Sequence, residues 1–158
     1  MIFMVLMIWS KNMTIYLSAD WHINHKNIIR LSNRPFSSIE EMNKTIFDNV
    51  NEWVVPKDTL YFLGDLAFHE DDPTELLRKI SCKHIIYIIG NHCPRTKTGQ
   101  PKLSFAKHFE SCSQIYNLYV NKELTVLCHY AMRVWEKQHY GSQMCYGHSH
   151  NQLHEPDN

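Results

Sequence analysis

Five short apolar runs, each breaking off at a residue able to hold a metal ion, constrain this chain more than any other feature of it. Residues 14–17 lead into Ser18-Ala19-Asp20-Trp21-His22, and residues 59–63 into Gly64-Asp65. Residues 84–89 lead into Gly90-Asn91-His92, residues 124–128 into His129, and residues 143–146 into Gly147-His148-Ser149-His150. The runs are four to six residues long, continuous more than alternating, and rich in Ile, Val, Leu and Tyr. That favours strands buried on both faces over helices, although periodicity alone does not decide for runs this short.

Helix signals fall between the runs. Ser37 or Ser38, followed three residues later by Glu40 or Glu41, forms a capping box. Ile39, Met42, Ile46, Phe47, Val50 and Trp53 then recur at helical steps, an apolar stripe suited to packing on a sheet. Asp72-Pro73 with Glu75 predicts a second helix start, with Leu76, Leu77 and Ile80 inward, and residues 103–109 a weaker third. Strands alternating with helices predict an α/β chain with a largely parallel or mixed sheet under helices. No repeat or Gly/Ser linker interrupts it, so residues 13–158 are expected to form one domain. Residues 1–12 begin with an apolar stretch about half the ~20 residues needed to cross a bilayer. They lack a basic leader, and Met13 opens the first core strand, so they are expected to be an N-terminal extension.

Composition narrows the function. Sixteen basic residues balance sixteen acidic ones, so net charge gives no long-range pull on nucleic acid or acidic membrane. Nucleic acid is therefore expected only as a substrate, and no membrane partner is expected. The five cysteines form no C-x-x-C pair, which argues against a disulfide framework or a four-cysteine zinc site and for reduced thiols in a cytoplasm. The eleven histidines are many for this length, and several stand at the ends of the runs.

In sheets of this kind ligands gather at the carboxyl ends of strands. Asp20, His22, Asp65, Asn91, His129, His148 and His150 would offer oxygen and imidazole nitrogen without thiolate. That donor set suits Mn, Fe, Zn or Ni, with Mn expected first. Seven ligands exceed what one ion holds while keeping room for water, whereas two ions ~3.5–4 Å apart sharing a carboxylate fit the number. Between two such ions a bridging water loses a proton near neutral pH, and the hydroxide can attack phosphorus in line. His92, beside a ligand, has the chemistry to protonate the leaving alkoxide.

At these residues the chain resembles the calcineurin-like metallophosphoesterase superfamily, whose blocks D-x-H, G-D, G-N-H, a lone His and G-H-x-H all stand here in order. The flanks, His25-Lys26-Asn27-Ile28 and His129-Tyr130-Ala131-Met132-Arg133, are similar to small phage and bacterial members. The resemblance implies a four-layer sandwich: two mixed sheets face to face, with helices outside. It implies that Asp20, His22 and His150 hold one metal, that Asn91, His129 and His148 hold the other, and that Asp65 bridges them. His92 would be the acid or transition-state stabiliser, with Asn91 and His92 touching the substrate phosphate. Arg133 could grip a phosphate oxygen, a solvated loop arginine being the even alternative. Two departures stand out. Cys93 occupies a position where such proteins usually carry Asp or Glu, and only eight residues follow His150, which predicts a shortened sheet with an open edge.

The expected activity is thus dinuclear hydrolysis of phosphodiesters or phosphomonoesters, with diesters favoured. Two alternatives remain: a non-catalytic metal- and phosphate-binding pseudoenzyme, and a nuclease-like member acting on polynucleotides. Oligomeric state is left open.

Overall fold

The apolar runs become strands, and three of the segments between them carry helices where helices were expected. The structure is a computed structural model that describes residues 13–150, 152 and 153, together with the backbone of residues 6–9. Strands β1 (Leu6–Trp9), β2 (Thr14–Ser18), β3 (Thr59–Phe62), β4 (His84–Ile88) and β5 (Ser111–Ser113) form a five-stranded sheet in that order. Strands β2 to β5 are parallel, and β1 joins the edge antiparallel to β2. Strands β6 (Ile115–Val120), β7 (Glu123–Cys128) and β8 (Gln143–Tyr146) form a second, mixed sheet. Part of the segment expected as an extension is therefore paired as β1. The rest of residues 1–12, and residues 151 and 154–158, lie outside the described residues.

Alternation along each strand sorts the core into two layers. Ile15, Leu17, Tyr61, Leu63, Ile86 and Ile88 face the second sheet and pack with Leu118 and Leu127. Tyr16, Leu60, Phe62, Ile85 and Tyr87 point the other way, onto the helices. Helix α2 (Ile39–Trp53) buries Met42, Ile46, Phe47 and Val50 there. Each such side chain contributes on the order of 1.5–3 kcal/mol relative to exposure. The start of α2 is capped as expected: Ser38 Oγ accepts from the Glu41 N–H at 3.1 Å, and the Glu41 carboxylate accepts from the Ser37 N–H at 2.9 Å. Trp53, the last member of the predicted stripe, is instead 55% exposed. It ends the helix, and its carbonyl, not its ring, meets the sheet by accepting from Tyr16 Oη at 2.8 Å.

The other helices are single turns: α1 (Ile28–Leu31), α3 (Thr74–Leu77) and α4 (Leu103–Ala106). Pro73 caps α3 rather than opening it. Outside the second sheet, residues 129–142 cross the face made by Asn117, Tyr119, Leu124 and Val126. Asn117 Nδ2 donates to Glu136 at 2.5 Å, and the Lys137 ammonium lies 5.5 Å from the centre of the Tyr119 ring. Among the described residues, the helices thus flank the five-stranded sheet and a loop with one 3-10 turn covers the smaller one. No helix among them is long and apolar enough to cross a membrane.

Candidate metal centre

Each ligand-bearing loop leaves a strand at its carboxyl end, and the two sheets bring these ends together. The backbone there is unusual. Asp20, His22, Asp65, His148 and His150 all have positive φ, between 48° and 65°. Side-chain-bearing residues adopt this region at a cost on the order of 1 kcal/mol or more each, and such strain persists where the surroundings impose it, as at functional sites. The loops are tied to one another: the Asp20 N–H donates to Gly64 O at 3.0 Å, and the His22 N–H to Asp65 O at 2.9 Å.

Two clusters of donors result. In the first, His22 Nε2 lies 3.2 Å from His150 Nε2 and 3.9 Å from Asp20 Oδ1, with 4.0 Å between His150 Nε2 and that oxygen. In the second, Asn91 Oδ1 stands 2.9 Å from both His129 Nε2 and His148 Nδ1. Asp65 joins the two, its Oδ2 being 3.3 Å from His129 Nε2 and 3.7 Å from His22 Nε2. Ligands ~2.1 Å from one cation stand about 3 Å apart when adjacent and about 4.2 Å apart when opposite, so these separations fit metal coordination.

The electrostatics fit a cation as well. Asp20 Oδ1 is buried with no hydrogen-bond partner among the described residues, an expensive arrangement unless an ion completes it. Burial pushes the Asp20 carboxyl up to about 6 despite the pull of His129. Burial likewise drives His22 down to about 3 and lowers His150, leaving both imidazoles neutral with lone pairs for a metal. For Asp65 and His129 burial acts against the charged forms, but their mutual attraction outweighs it, lowering Asp65 and raising His129. Second contacts orient the donors. His129 Nδ1 lies 2.7 Å from Leu63 O, an acceptor only, so this nitrogen carries the proton and Nε2 faces the centre. The His92 N–H donates to Asp65 Oδ1 and the His148 N–H to Asp20 Oδ2, both at 2.9 Å.

The glycines serve close approach. Gly64 is held by both conformation and space, with φ +88° and a Cβ that would lie 2.4 Å from His129 Nδ1, whereas at Gly90 and Gly147 the constraint is space alone: a Cβ on Gly90 would fall on Asp65 Oδ1, and one on Gly147 would lie 2.7 Å from Asp20 Oδ2. Gly90→Ala should therefore displace the Asp65 carboxylate, cost roughly 1–3 kcal/mol as overpacking does, and lower metal uptake. Thermal unfolding and elemental analysis check this; unchanged metal content would show that the loop yields freely.

A profile of the calcineurin-like phosphoesterases matches residues 13–155, nearly the whole chain. The chain belongs to the calcineurin-like phosphoesterase family. It is 49% identical over 81 residues to an uncharacterised protein of Methanocaldococcus jannaschii, a match covering 49% of this chain and 46% of that protein. The chain thus matches about half the length of this curated relative. It is also similar to the crystal structure of a protein of unknown function from Aquifex aeolicus. There the TM-score is 0.58 and the identity 28%, over 73% of this chain and 60% of that one.

In this family member the centre opens into a cleft of about 260 Å³ lined by His22, Asp65, Asn91, His92, His148 and His150, with His25, Ile28, Leu31 and Ser32 along the wall. All seven expected ligands and His92 are thus brought to one place. Arg133 stands exposed on the loop after β7 and does not line the cleft. Cys93 is buried in the core beneath the Gly90-Asn91-His92 loop, and burial holds its thiol neutral, up at about 12. It fills space there and supplies no charge to the site. His92 also lies close enough to His22 and Asp65 to count among possible ligands. Sequence reading missed Ser32, whose Oγ is 3.1 Å from His150 Nδ1, and Arg34, because both act through contacts that leave no motif.

Proposed function

We propose that this chain is a dinuclear metal-dependent phosphoesterase acting on phosphodiesters, with phosphomonoesters as the second class. The observation that carries the reading is the pair of donor clusters sharing Asp65 on the floor of one cleft. Asp20, His22 and His150 would hold one cation, and Asn91, His129 and His148 the other, with Asp65 common to both. The absence of thiolate favours Mn, with Fe, Zn or Ni as alternatives. When bound, such a pair supplies Lewis acidity, easing loss of a proton from water and neutralising charge on the phosphoryl oxygens.

The chain's own groups do the rest. The His92 ring lies 5.1 Å from the His22 ring, centre to centre, at the cleft wall. Its main-chain N–H is fixed by Asp65 Oδ1, so the imidazole is held beside the centre as the carboxylate is. From there it donates a proton to the departing alkoxide oxygen, which poor leaving groups need most. Trp21, Ile23 and Leu66, buried next to His22 and Asp65 along the chain, give these ligands a stiff support.

An aryl phosphodiester such as bis(p-nitrophenyl) phosphate should be cleaved by the chain with added Mn²⁺. EDTA should stop the reaction, and excess Mn²⁺ should restore it. Retention of two ions with no turnover on any mono- or diester would identify a binding domain without catalysis instead. Preference for long polynucleotides over small diesters would identify a nuclease, although the zero formal charge supplies no broad electrostatic attraction for one.

A further inference from the structure

We propose that Arg34 is a positioning residue for the first cation, its guanidinium holding in place the loop that carries Asp20 and His22. The inference rests on the two-cation reading above. Arg34 is only 8% exposed, yet no carboxylate forms an ion pair with it among the described residues. Its donors go to main-chain oxygens instead: Nη2 to Asp20 O at 2.6 Å and Nη1 to Trp21 O at 2.8 Å, with Met42 Sδ 3.3 Å from Nη1.

Backbone accounting shows why a guanidinium stands there. Between two left-handed residues, Asp20 and His22, the chain turns its N–H groups toward the neighbouring loop: Asp20 to Gly64 O and His22 to Asp65 O. The carbonyls of Asp20 and Trp21 point elsewhere, into the protein, where unmet acceptors are costly. The planar fork of an arginine satisfies two adjacent carbonyls from one side chain; a lysine offers one point of charge.

Arg34 is itself fixed by the turn after α1, its N–H donating to Ile29 O at 2.8 Å and its carbonyl accepting from the Phe36 N–H at 2.9 Å. The same turn presents Ser32 to His150 Nδ1. One short segment therefore braces the first cluster, holding Asp20 by its own carbonyl, His22 through the Trp21 carbonyl that precedes it and His150 by its ring. Among the described residues no comparable bracket from this segment reaches Asn91, His129 or His148, so its loss should fall on one cation.

Isothermal titration of the purified, metal-stripped chain with Mn²⁺ alone tests this, alongside thermal unfolding of the metal-free protein. Wild type should take up two ions. Arg34→Met should weaken one step roughly tenfold to a hundredfold, as loss of supporting contacts to ligands typically does, and leave the other unchanged; Arg34→Lys should fall between. Ile46→Val, in the core under α2, is the control for a merely structural loss: it lowers the unfolding temperature and spares both steps. Two wild-type steps in Arg34→Met would overturn the proposal. Should that variant not fold, Arg34→Lys decides, since wild-type affinity for both ions there overturns it equally. A wild-type chain that takes up a single ion overturns the two-cation reading instead, and Arg34 then stands or falls on whether that ion weakens in Arg34→Met.

Discussion

Replacing Asp65 by Asn should cut turnover by roughly a hundredfold or more and release metal, because one carboxylate serves both clusters. Its Oδ2 lies within 3.7 Å of donors from each cluster, His22 and His129, while Oδ1 accepts from the His92 N–H. An amide cannot do both. If its oxygen faces the cations, its NH₂ confronts the His92 N–H, and if it turns over, two donors point at the cations. The fold should survive, since Asn accepts the left-handed conformation of Asp65 as readily as Asp does. Turnover and metal content measured on the folded variant check the expectation. Near-normal values for both would remove Asp65 from its shared role.

His92→Ala should spare metal and selectively harm difficult substrates. A positioned general acid contributes roughly 10²–10⁴-fold where the leaving group needs the proton, and little where it does not. Alkyl diesters should therefore lose that much, whereas p-nitrophenyl esters should lose far less. The comparison is needed because His92 lies near enough to His22 and Asp65 to be a ligand. Loss of an ion from His92→Ala would make it one. Equal losses on good and poor leaving groups, with metal retained, would show that it steadies the phosphate without moving a proton.

What the sequence disclosed follows from where the physical constraints are local. The strands were readable because continuous apolar runs ended in chemistry-bearing residues, and α2 because Ser38 and Glu41 mark its start and its buried stripe repeats at helical spacing. β5 and β6 went unread: Ser111–Ser113 is short and polar, and β6 alternates because one face is half open. The ligands were legible as spaced blocks, since each block needs a glycine or a turn as well as a donor. Arg34 and Ser32 were not, because a side chain that holds a distant backbone leaves no pattern in its own neighbourhood. The left-handed φ of Asp20, His22, Asp65, His148 and His150 was equally invisible, because such a conformation at a residue other than glycine leaves no mark in the sequence.

Anomalous diffraction from crystals grown with Mn²⁺ would test the centre most directly. Two peaks about 3.5–4 Å apart are predicted, with Asp65 touching both, His22 and His150 at one and His129 and His148 at the other. A single peak, or two peaks with Asp65 bound to only one of them, would contradict it.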